Sequence, residues 1–329
     1  MVRFFRLLPT AAVSLAFLAA CAGQNGAAPT SNSNVGVLPG ALLSSNAVPK
    51  PSATVLRQPS FGPKPRGWLR AGSHAGSLIY VADRDQVLIF PESGFNPAPI
   101  GAITDQVNLP YGLFVDRNRN LYVANSHTIT AYHSGATSPY IVYSDLDGPM
   151  YIVKDHANRL YAANHNGTVS EYLPGHTEPD RTLQTPGVEA DGINVDDASN
   201  LYVAYRDASG LGSIKEFLAN SRNGRILGMR LNQPQGIQLD HSGNILVVET
   251  GGKHVVDVFP PGKKSPSQVV KAAYGVTQIV LREANEQMYV SNYNNDYVYI
   301  SRYPPGEFQP KIKTNAYGVQ GMALSNEQP

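Results

Sequence analysis

The chain has 329 residues and a formal net charge of +1, with 16% charged residues. This balance gives no electrostatic basis for binding nucleic acid, which requires a strongly basic surface. Glycine (30 copies) and proline (25 copies) are plentiful, and tyrosine (18) outnumbers phenylalanine (10), a composition typical of many short strands joined by tight turns.

The first 20 residues have the pattern of an export signal. Arg3 and Arg6 precede an apolar stretch, residues 7–20, that is too short for a normal membrane span. The stretch ends in Leu-Ala-Ala-Cys at residues 18–21, which resembles the lipobox of bacterial lipoproteins. The resemblance implies cleavage before Cys21, lipidation of that residue and anchoring in the cell envelope. The alternative is an ordinary secretory peptide followed by a chance cysteine.

Two further expectations follow from this end of the chain. Ala22, rather than Asp, follows the cysteine, and in a Gram-negative cell this pattern favours the outer membrane. Cys21 is the only cysteine, so the exported domain must be stable without an internal disulfide. Residues 21–66 are rich in Ala, Ser, Asn, Pro and Gly, and we predict that they form a disordered tether between the lipid and a domain at 67–329.

A motif close to Leu-Tyr-Val-Ala returns about every 40 residues. Its second position is occupied by Tyr80, Tyr122, Tyr161, Tyr202, Leu246 and Tyr289. Each unit reads as a buried strand, a polar turn, the motif strand, an alternating strand ending in an aromatic residue, and a short fourth strand. A period of 40–45 residues with four strands per unit predicts an all-β protein, a β-propeller.

The two ends of the repeat region fix the number of blades. The first unit begins at Leu78 with the motif strand and lacks a first strand, whereas residues 317–325, Tyr-Gly-Val-Gln-Gly-Met-Ala-Leu-Ser, supply a first strand with nothing after it. The C-terminal strand therefore completes the N-terminal blade, and the ring has six blades of four strands. Closure of this kind removes exposed sheet edges.

The segments Gly-Leu-Phe-Val-Asp-Arg-Asn-Arg-Asn-Leu-Tyr-Val-Ala-Asn, from Gly112, and Gly-Ile-Gln-Leu-Asp-His-Ser-Gly-Asn-Ile-Leu-Val-Val-Glu, from Gly236, resemble NHL repeats and the related gluconolactonase-like and streptogramin-lyase-like propellers. The resemblance covers nearly all of residues 75–325. It implies a six-bladed propeller but no single activity, because these families include enzymes, binding modules and scaffolds.

In such propellers, residues that begin the first strand and residues that end the second strand lie at one mouth of the central channel. The predicted ligand-binding residues of this mouth are Asp83, Tyr111, Asn125, Asn164, Asp191, Tyr205, Gln235, Glu249, Gln278, Asn292 and Gln320. Four glycines at one register of the first strand, residues 112, 192, 236 and 321, suggest either crowding near the axis or a backbone that opens towards the channel.

Three interpretations of this mouth remain open. Gluconolactonase-like enzymes hold a divalent ion there, and Glu249, Asn164, Asn125 and Asp191 offer oxygen ligands suited to Ca²⁺ or Mg²⁺. A lyase of streptogramin-lyase type would need a histidine base, for which His127, His165 and His254 lie near strand ends. Alternatively, Asn and Asp serve only as turn formers.

We expect a non-catalytic binding or scaffold module, anchored in the envelope and monomeric, that presents the mouth to a polar ligand, glycan or protein. Neutral Asn, Gln and Tyr side chains suit hydrogen bonding to polar uncharged partners. The alternative is a metal-dependent hydrolase or lyase acting at the same mouth. Tyr205 and Glu249 depart from a pure turn requirement, so these two positions are the first to inspect.

Overall fold

The computed structural model describes residues 66–72, 76–144, 147–282, 287–304, 306–314 and 318–325. These residues belong to one compact unit, Lys64–Pro329. The predicted signal peptide, the lipidated Cys21 and all of the tether except Arg66 lie outside the described residues. No described segment forms a helix long and apolar enough to cross a bilayer.

The described residues form 26 strands in six antiparallel sheets, which are the blades of the ring. Blade 1 contains β1 (Trp68–Leu69), β2 (Leu78–Asp83), β3 (Gln86–Pro91), β4 (Gly101–Ile103) and the C-terminal β26 (Val319–Leu324). Blade 2 contains β5 (Leu113–Val115), β6 (Leu121–Ala124), β7 (Thr128–Tyr132) and β8 (Ile141–Ser144). Blade 3 contains β9 (Pro149–Lys154), β10 (Leu160–Asn164), β11 (Thr168–Tyr172) and β12 (Arg181–Gln184).

The second half of the ring repeats this order. Blade 4 contains β13 (Glu189–Val195), β14 (Leu201–Arg206), β15 (Leu211–Phe217), β16 (Gly224–Ile226) and the short β17 (Leu231–Asn232), which also pairs with β15. Blade 5 contains β18 (Pro234–Leu239), β19 (Ile245–Glu249), β20 (Val255–Phe259) and β21 (Gln268–Lys271). Blade 6 contains β22 (Val276–Leu281), β23 (Gln287–Asn292), β24 (Tyr297–Arg302) and β25 (Gln309–Lys313).

The ring closes through its two ends, as the sequence predicts. β26 pairs with β2, with Ile79 opposite Leu324 and Tyr80 opposite Ala323. The innermost strands contact one another in the order β26, β5, β9, β13, β18, β22 and back to β26. The prediction of six four-stranded blades is confirmed, with one extra short strand in blade 1 and another in blade 4.

Six separate hydrophobic clusters fill the seams, which we define as the interfaces between consecutive blades. Because side chains alternate along a strand, each motif strand serves two seams. Leu121 and Val123 pack in the cluster shared with blade 1, whereas Tyr122 and Ala124 pack in the cluster shared with blade 3. The Leu-Tyr-Val-Ala motif thus supplies apolar side chains to both neighbours.

An aspartate organises the turn between the first and second strands of blade 2. One carboxylate oxygen of Asp116 accepts hydrogen bonds from the backbone N–H groups of Asn118 (2.9 Å) and Asn120 (2.8 Å). The other oxygen accepts the Tyr122 hydroxyl at 3.2 Å. Asp155 and Asp196 repeat both contacts in blades 3 and 4, so the tyrosine of the motif is bound to the turn of its own blade.

Glycine is required where neighbouring first strands approach the axis. A Cβ atom on Gly192 would lie 2.2 Å from the Gln235 carbonyl oxygen, and one on Gly321 would lie 2.0 Å from the Tyr111 carbonyl oxygen. The glycines at 112 and 236 meet the backbone of the next blade in the same way. The predicted crowding is confirmed, and its cause is contact between backbones.

Candidate functional site

We call the end of the ring that carries the second-to-third strand turns and the fourth-to-first strand linkers the upper face. The six residues that end the second strands lie at this level, but their side chains are buried and each is at most 8% exposed: Asp83, Asn125, Asn164, Tyr205, Glu249 and Asn292. They share the strand face of residues such as Val123, which points into a seam. This differs from the expectation that they line the mouth, and strand alternation is the reason.

The asparagines of blades 2 and 3 are held by hydrogen bonds to their surroundings. The side-chain oxygen of Asn125 accepts the backbone N–H of Asn108, a residue of the linker from blade 1, at 2.9 Å. The side-chain nitrogen of Asn125 donates to the Thr130 hydroxyl at 3.1 Å. The Asn164 amide nitrogen donates to the hydroxyls of Thr168 (3.0 Å) and Ser170 (2.8 Å). Both asparagines therefore join the second strand to the third.

Asn292 and Asp83 have the turn role that the sequence suggests. The side-chain oxygen of Asn292 accepts hydrogen bonds from the backbone N–H groups of Asn294 (2.9 Å) and Asn295 (3.1 Å). The Asp83 carboxylate accepts a hydrogen bond from the side-chain amide of Gln86 at 2.9 Å. Neither residue, nor Asn125 or Asn164, has a positive φ. These positions therefore need a short polar side chain for its hydrogen bonds, and not because the backbone is left-handed there.

Tyr205 and Glu249 are the two departures from this pattern. Tyr205 lies opposite Ser213 in the ladder between β14 and β15, and burial raises the pKa of its phenol. The Glu249 carboxylate accepts the backbone N–H of Asn232 at 2.7 Å and lies beside the Asp257 carboxyl group. Burial, followed by the neighbouring Asp257, raises the pKa of Glu249 to about 7.

The central channel is crossed by side chains of the first strands. The Gln278 amide donates to the Leu113 carbonyl oxygen in blade 2 at 3.1 Å and accepts the Met322 N–H of blade 1 at 2.9 Å. The buried Tyr151 of blade 3 lies near Thr277 of blade 6, on the opposite side of the ring. Gln278 is thus a tie between three blades.

Asp191 occupies a buried position beside this channel. It is fully buried, its Oδ2 accepts the Arg206 Nε–H at 3.0 Å, and its Oδ1 has no hydrogen-bond partner. Burial raises the pKa of Asp191 to about 7, although the Arg206 guanidinium opposes the shift. Arg206 also pairs with Glu189, whose carboxylate lies 3.9 Å from the exposed His165 ring.

The remaining predicted residues are partly exposed at the starts of the first strands: Tyr111, Gln235 and Gln320. The Tyr111 N–H donates to the Ala124 carbonyl oxygen at 2.8 Å. Burial raises the pKa of the Tyr111 phenol, and the nearby Tyr293 raises it further. These residues, unlike the second-strand ends, keep part of their surface exposed.

Comparison with known proteins supports the architecture. No protein-family model and no curated protein matches the chain. A chain in the crystal structure of a nidogen/laminin complex is 17% identical, with a TM-score of 0.66 over 77% of this chain and 100% of that chain. The WD40 β-propeller domain of Doa1 is 14% identical, with a TM-score of 0.57 over 74% of this chain and 82% of that one.

The chain is a six-bladed β-propeller. At identities this low the likeness extends to the fold alone, and it transfers no activity or partner.

The four predicted metal ligands do not fit a shared ion in this arrangement. Asn125, Asn164 and Glu249 belong to three different seams, and each has its own separate partners. Asp191 is paired with Arg206. Among the described residues, no group of three or more His, Cys, Asp or Glu side chains is placed to hold a metal. Metal binding therefore stays a prediction from the sequence.

The three candidate histidines occupy unlike environments. His127 is exposed and lines a groove of about 740 Å³ beside blades 1 and 2. His165 is exposed near Glu189. His254 is partly buried, its Nδ1 has no hydrogen-bond partner, and its ring contacts Tyr274 with centroids 4.4 Å apart. These contacts give no common centre for a general base.

Several residues of the upper face were missed by the sequence reasoning. Tyr274 is 67% exposed, while Tyr151 and Asp257 contribute to the buried contacts described above. Tyr293, which the sequence already places just beyond the end of a second strand, is 37% exposed. A recurrent Tyr-Gly pair before the first strand, at residues 111–112, 274–275 and 317–318, is the signal that could have drawn attention to Tyr274.

Proposed function

We propose that the protein is a non-catalytic binding module whose partner docks on the upper face. The observation that carries this proposal is the contrast between a crossed channel and an apolar rim. Gln278 and Tyr151 occupy the axis. Large side chains are exposed around it: Leu109, Val188, Leu211, Tyr274 and Tyr293, at 37–67%.

This combination suits recognition of a partner surface better than enclosure of a small substrate. Exposed apolar and aromatic side chains are typical of interaction sites, and the upper face carries five of the thirteen large ones among the described residues. A ligand-binding cleft would instead require an open, concave space at the channel. The similar chain from the nidogen/laminin crystal structure belongs to a protein complex, which is consistent with a docking role.

Site-specific photocrosslinking tests which face binds. A photoreactive phenylalanine analogue at Val188 or Leu211 is expected to capture a partner when the full-length protein is expressed in its own cells. The matched control is the same analogue at Leu218, which is 59% exposed on the loop between β15 and β16 at the opposite end of the ring. Equal adducts from both ends, or adducts from Leu218 alone, would contradict the proposal.

We also propose that the module is held at the cell envelope by a lipid on Cys21 and by the tether at residues 21–66. The support is the Leu-Ala-Ala-Cys sequence after a short apolar stretch. Cys21→Ser is expected to release the protein from the membrane fraction while leaving the propeller folded. Membrane retention of this variant would contradict the lipid anchor.

We also propose that the repeats of this propeller are of the NHL type, a family that includes binding modules. The support for it is the recurrent Asp turn and Leu-Tyr strand, which the structure shows to be mutually bonded in blade 2. A structure-guided comparison of this Asp–Tyr contact in NHL propellers would test the assignment. Its general absence from them would contradict it.

A further inference from the structure

The upper face between blades 5 and 6 carries an arc of aromatic side chains. The His254 ring meets the Tyr274 ring edge-on, with centroids 4.4 Å apart and an interplanar angle of 72°. Tyr293 follows on the next turn, and it lies close enough to Tyr111 to raise the pKa of that phenol. We define Tyr111, His254, Tyr274 and Tyr293 as the tyrosine arc.

Backbone contacts hold the two most exposed rings in place. The Tyr293 backbone N–H donates to the Gly275 carbonyl oxygen at 2.8 Å, and the side-chain amide of Asn292 donates to the backbone carbonyl oxygen of Tyr274 at 2.9 Å. The Tyr293 ring rests directly on Gly318, where an added Cβ would lie 2.6 Å from its Cε2. The rings are therefore positioned before any ligand arrives, which reduces the entropy lost on binding.

The surroundings of the arc are polar and carry charges of both signs. Lys271 and Lys313 end the fourth strands of blades 5 and 6. The turn between β19 and β20 contributes Lys253, and the turn between β23 and β24 contributes Asp296. The second of these turns also carries Asn294, which is exposed, and Asn295, whose Oδ1 is buried without a hydrogen-bond partner. The exposed aliphatic side chains of the upper face, Leu109, Val188 and Leu211, belong to blades 2 and 4 instead.

Aromatic rings flanked by amides match one ligand chemistry in particular. The C–H groups on one face of a pyranose ring pack against an aromatic ring, and its hydroxyls exchange hydrogen bonds with amide groups. The two turns that carry Tyr293 and His254 contribute one charge of each sign, Asp296 and Lys253, so they favour neither an anionic nor a cationic ligand. A protein partner would find its aliphatic contacts in blades 2 and 4.

We propose that the tyrosine arc, together with Asn294, is a binding site for a neutral oligosaccharide. This inference rests on the proposed function, since it names the chemical class that part of the upper face recognises. Tyr274 and Tyr293 supply the stacking surfaces, and Asn294 supplies a donor and an acceptor for hydroxyl groups.

The test uses the full-length protein and four neutral probes: cellohexaose, chitohexaose, maltohexaose and mannohexaose. Saturable binding of at least one probe at millimolar concentration is expected by saturation-transfer NMR. Tyr274→Ala and Tyr293→Ala should each weaken it by about tenfold, because each removes one stacking ring. Tyr274→Phe, which keeps the ring, should retain most of the affinity.

Trp68→Ala is the matched control, because Trp68 is 47% exposed on the outer edge of blade 1, and it should leave binding unchanged. Failure of all four probes to bind, or binding that survives both alanine substitutions, would overturn the inference. Loss of Val188 photoadducts in Tyr274→Ala without any oligosaccharide binding would also overturn it, by assigning the arc to a protein. Intact Val188 adducts in either of the first two cases would leave the proposed function standing.

Discussion

The carboxyl groups of Glu249 and Asp257 lie beside each other on one face of the β19–β20 ladder, in the seam between blades 4 and 5. At the corresponding place in blades 2 and 3, an asparagine amide bonds a hydroxyl, as Asn125 does with Thr130. Two carboxyl groups buried beside each other favour the state in which one of them holds a proton. This seam therefore depends on pH, whereas the amide–hydroxyl seams do not.

The first prediction concerns the pH dependence of stability. The pKa of Glu249 is raised from 4.5 to about 7 by burial and by Asp257, so the folded state binds the proton more tightly than the unfolded state. The resulting stabilisation is fully present below pH 4.5 and is lost as the pH rises to about 7 and above. Unfolding free energies from urea titrations should therefore fall between pH 5 and pH 8.

Glu249→Gln isolates this contribution, because glutamine can still accept the Asn232 N–H and donate to Asp257. The variant should reduce the decrease between pH 5 and pH 8 by on the order of 1–2 kcal/mol. Asp191, whose pKa is also raised to about 7, accounts for part of the decrease in unfolding free energy that remains in the variant. Glu178→Gln, at an exposed loop position, is the control and should leave the profile unchanged; an unchanged profile in Glu249→Gln would refute the explanation.

The second prediction concerns the tie across the channel. Gln278→Ala removes two hydrogen bonds to backbone groups of blades 1 and 2 and leaves their polar atoms unsatisfied. We expect a loss of about 2–3 kcal/mol in the free energy of unfolding. Gln320→Ala, a half-buried glutamine of the neighbouring first strand, should cost much less, and equal losses would argue against the tie.

The third prediction concerns the crowded axis. Gly321→Ala places a Cβ 2.0 Å from the Tyr111 carbonyl oxygen, and neither backbone can retreat without opening a seam. A loss of more than about 3 kcal/mol is expected, measured by thermal unfolding. Gly76→Ala meets no atom within 4 Å and serves as the control. A melting temperature for Gly321→Ala within error of that control would count against the packing described for the axis.

The fourth prediction concerns the tyrosine of the repeated motif. The Tyr122 hydroxyl donates to Asp116 and accepts a hydrogen bond from the Lys154 ammonium group at 2.9 Å. Tyr122→Phe should cost about 1–3 kcal/mol, since a buried carboxylate loses a donor. Tyr274→Phe alters an exposed hydroxyl and should be neutral. Chemical denaturation of the two variants side by side would decide whether the Asp–Tyr contact stabilises the turn.

The fifth prediction concerns divalent ions. Because the four candidate ligands have separate partners in this structure, Ca²⁺ or Mg²⁺ should change the melting temperature by less than about 1 °C. A larger calcium-dependent increase that Glu249→Ala abolishes would show that these side chains rearrange around an ion, and it would revive the metal-dependent alternative.

The sequence predicts the fold well because its signals are local and repeated. The Leu-Tyr-Val-Ala strand and the aspartate turn before it recur in most blades, and the strand missing at Leu78 is supplied by residues 319–324. Each of these features depends only on strand periodicity and turn chemistry within one unit. The number of blades and the closure of the ring follow from counting units.

The candidate site is less predictable, because its chemistry depends on contacts between units. Strand position identifies Asn125 and Glu249 as equivalent, but it does not reveal that both point into seams. It also gives no sign that Asp257 lies beside Glu249.

By itself, then, the sequence determined the strand order, the period and the closed six-bladed ring, since hydrophobic alternation and turn residues act over a few positions. Only the tertiary structure decided which polar side chains are buried in seams, that Tyr151 reaches towards Thr277 across the channel, and that Tyr274 and Tyr293 are exposed together. The physical reason is that burial and hydrogen-bond partners are set by neighbouring blades, whose residues are distant in the chain.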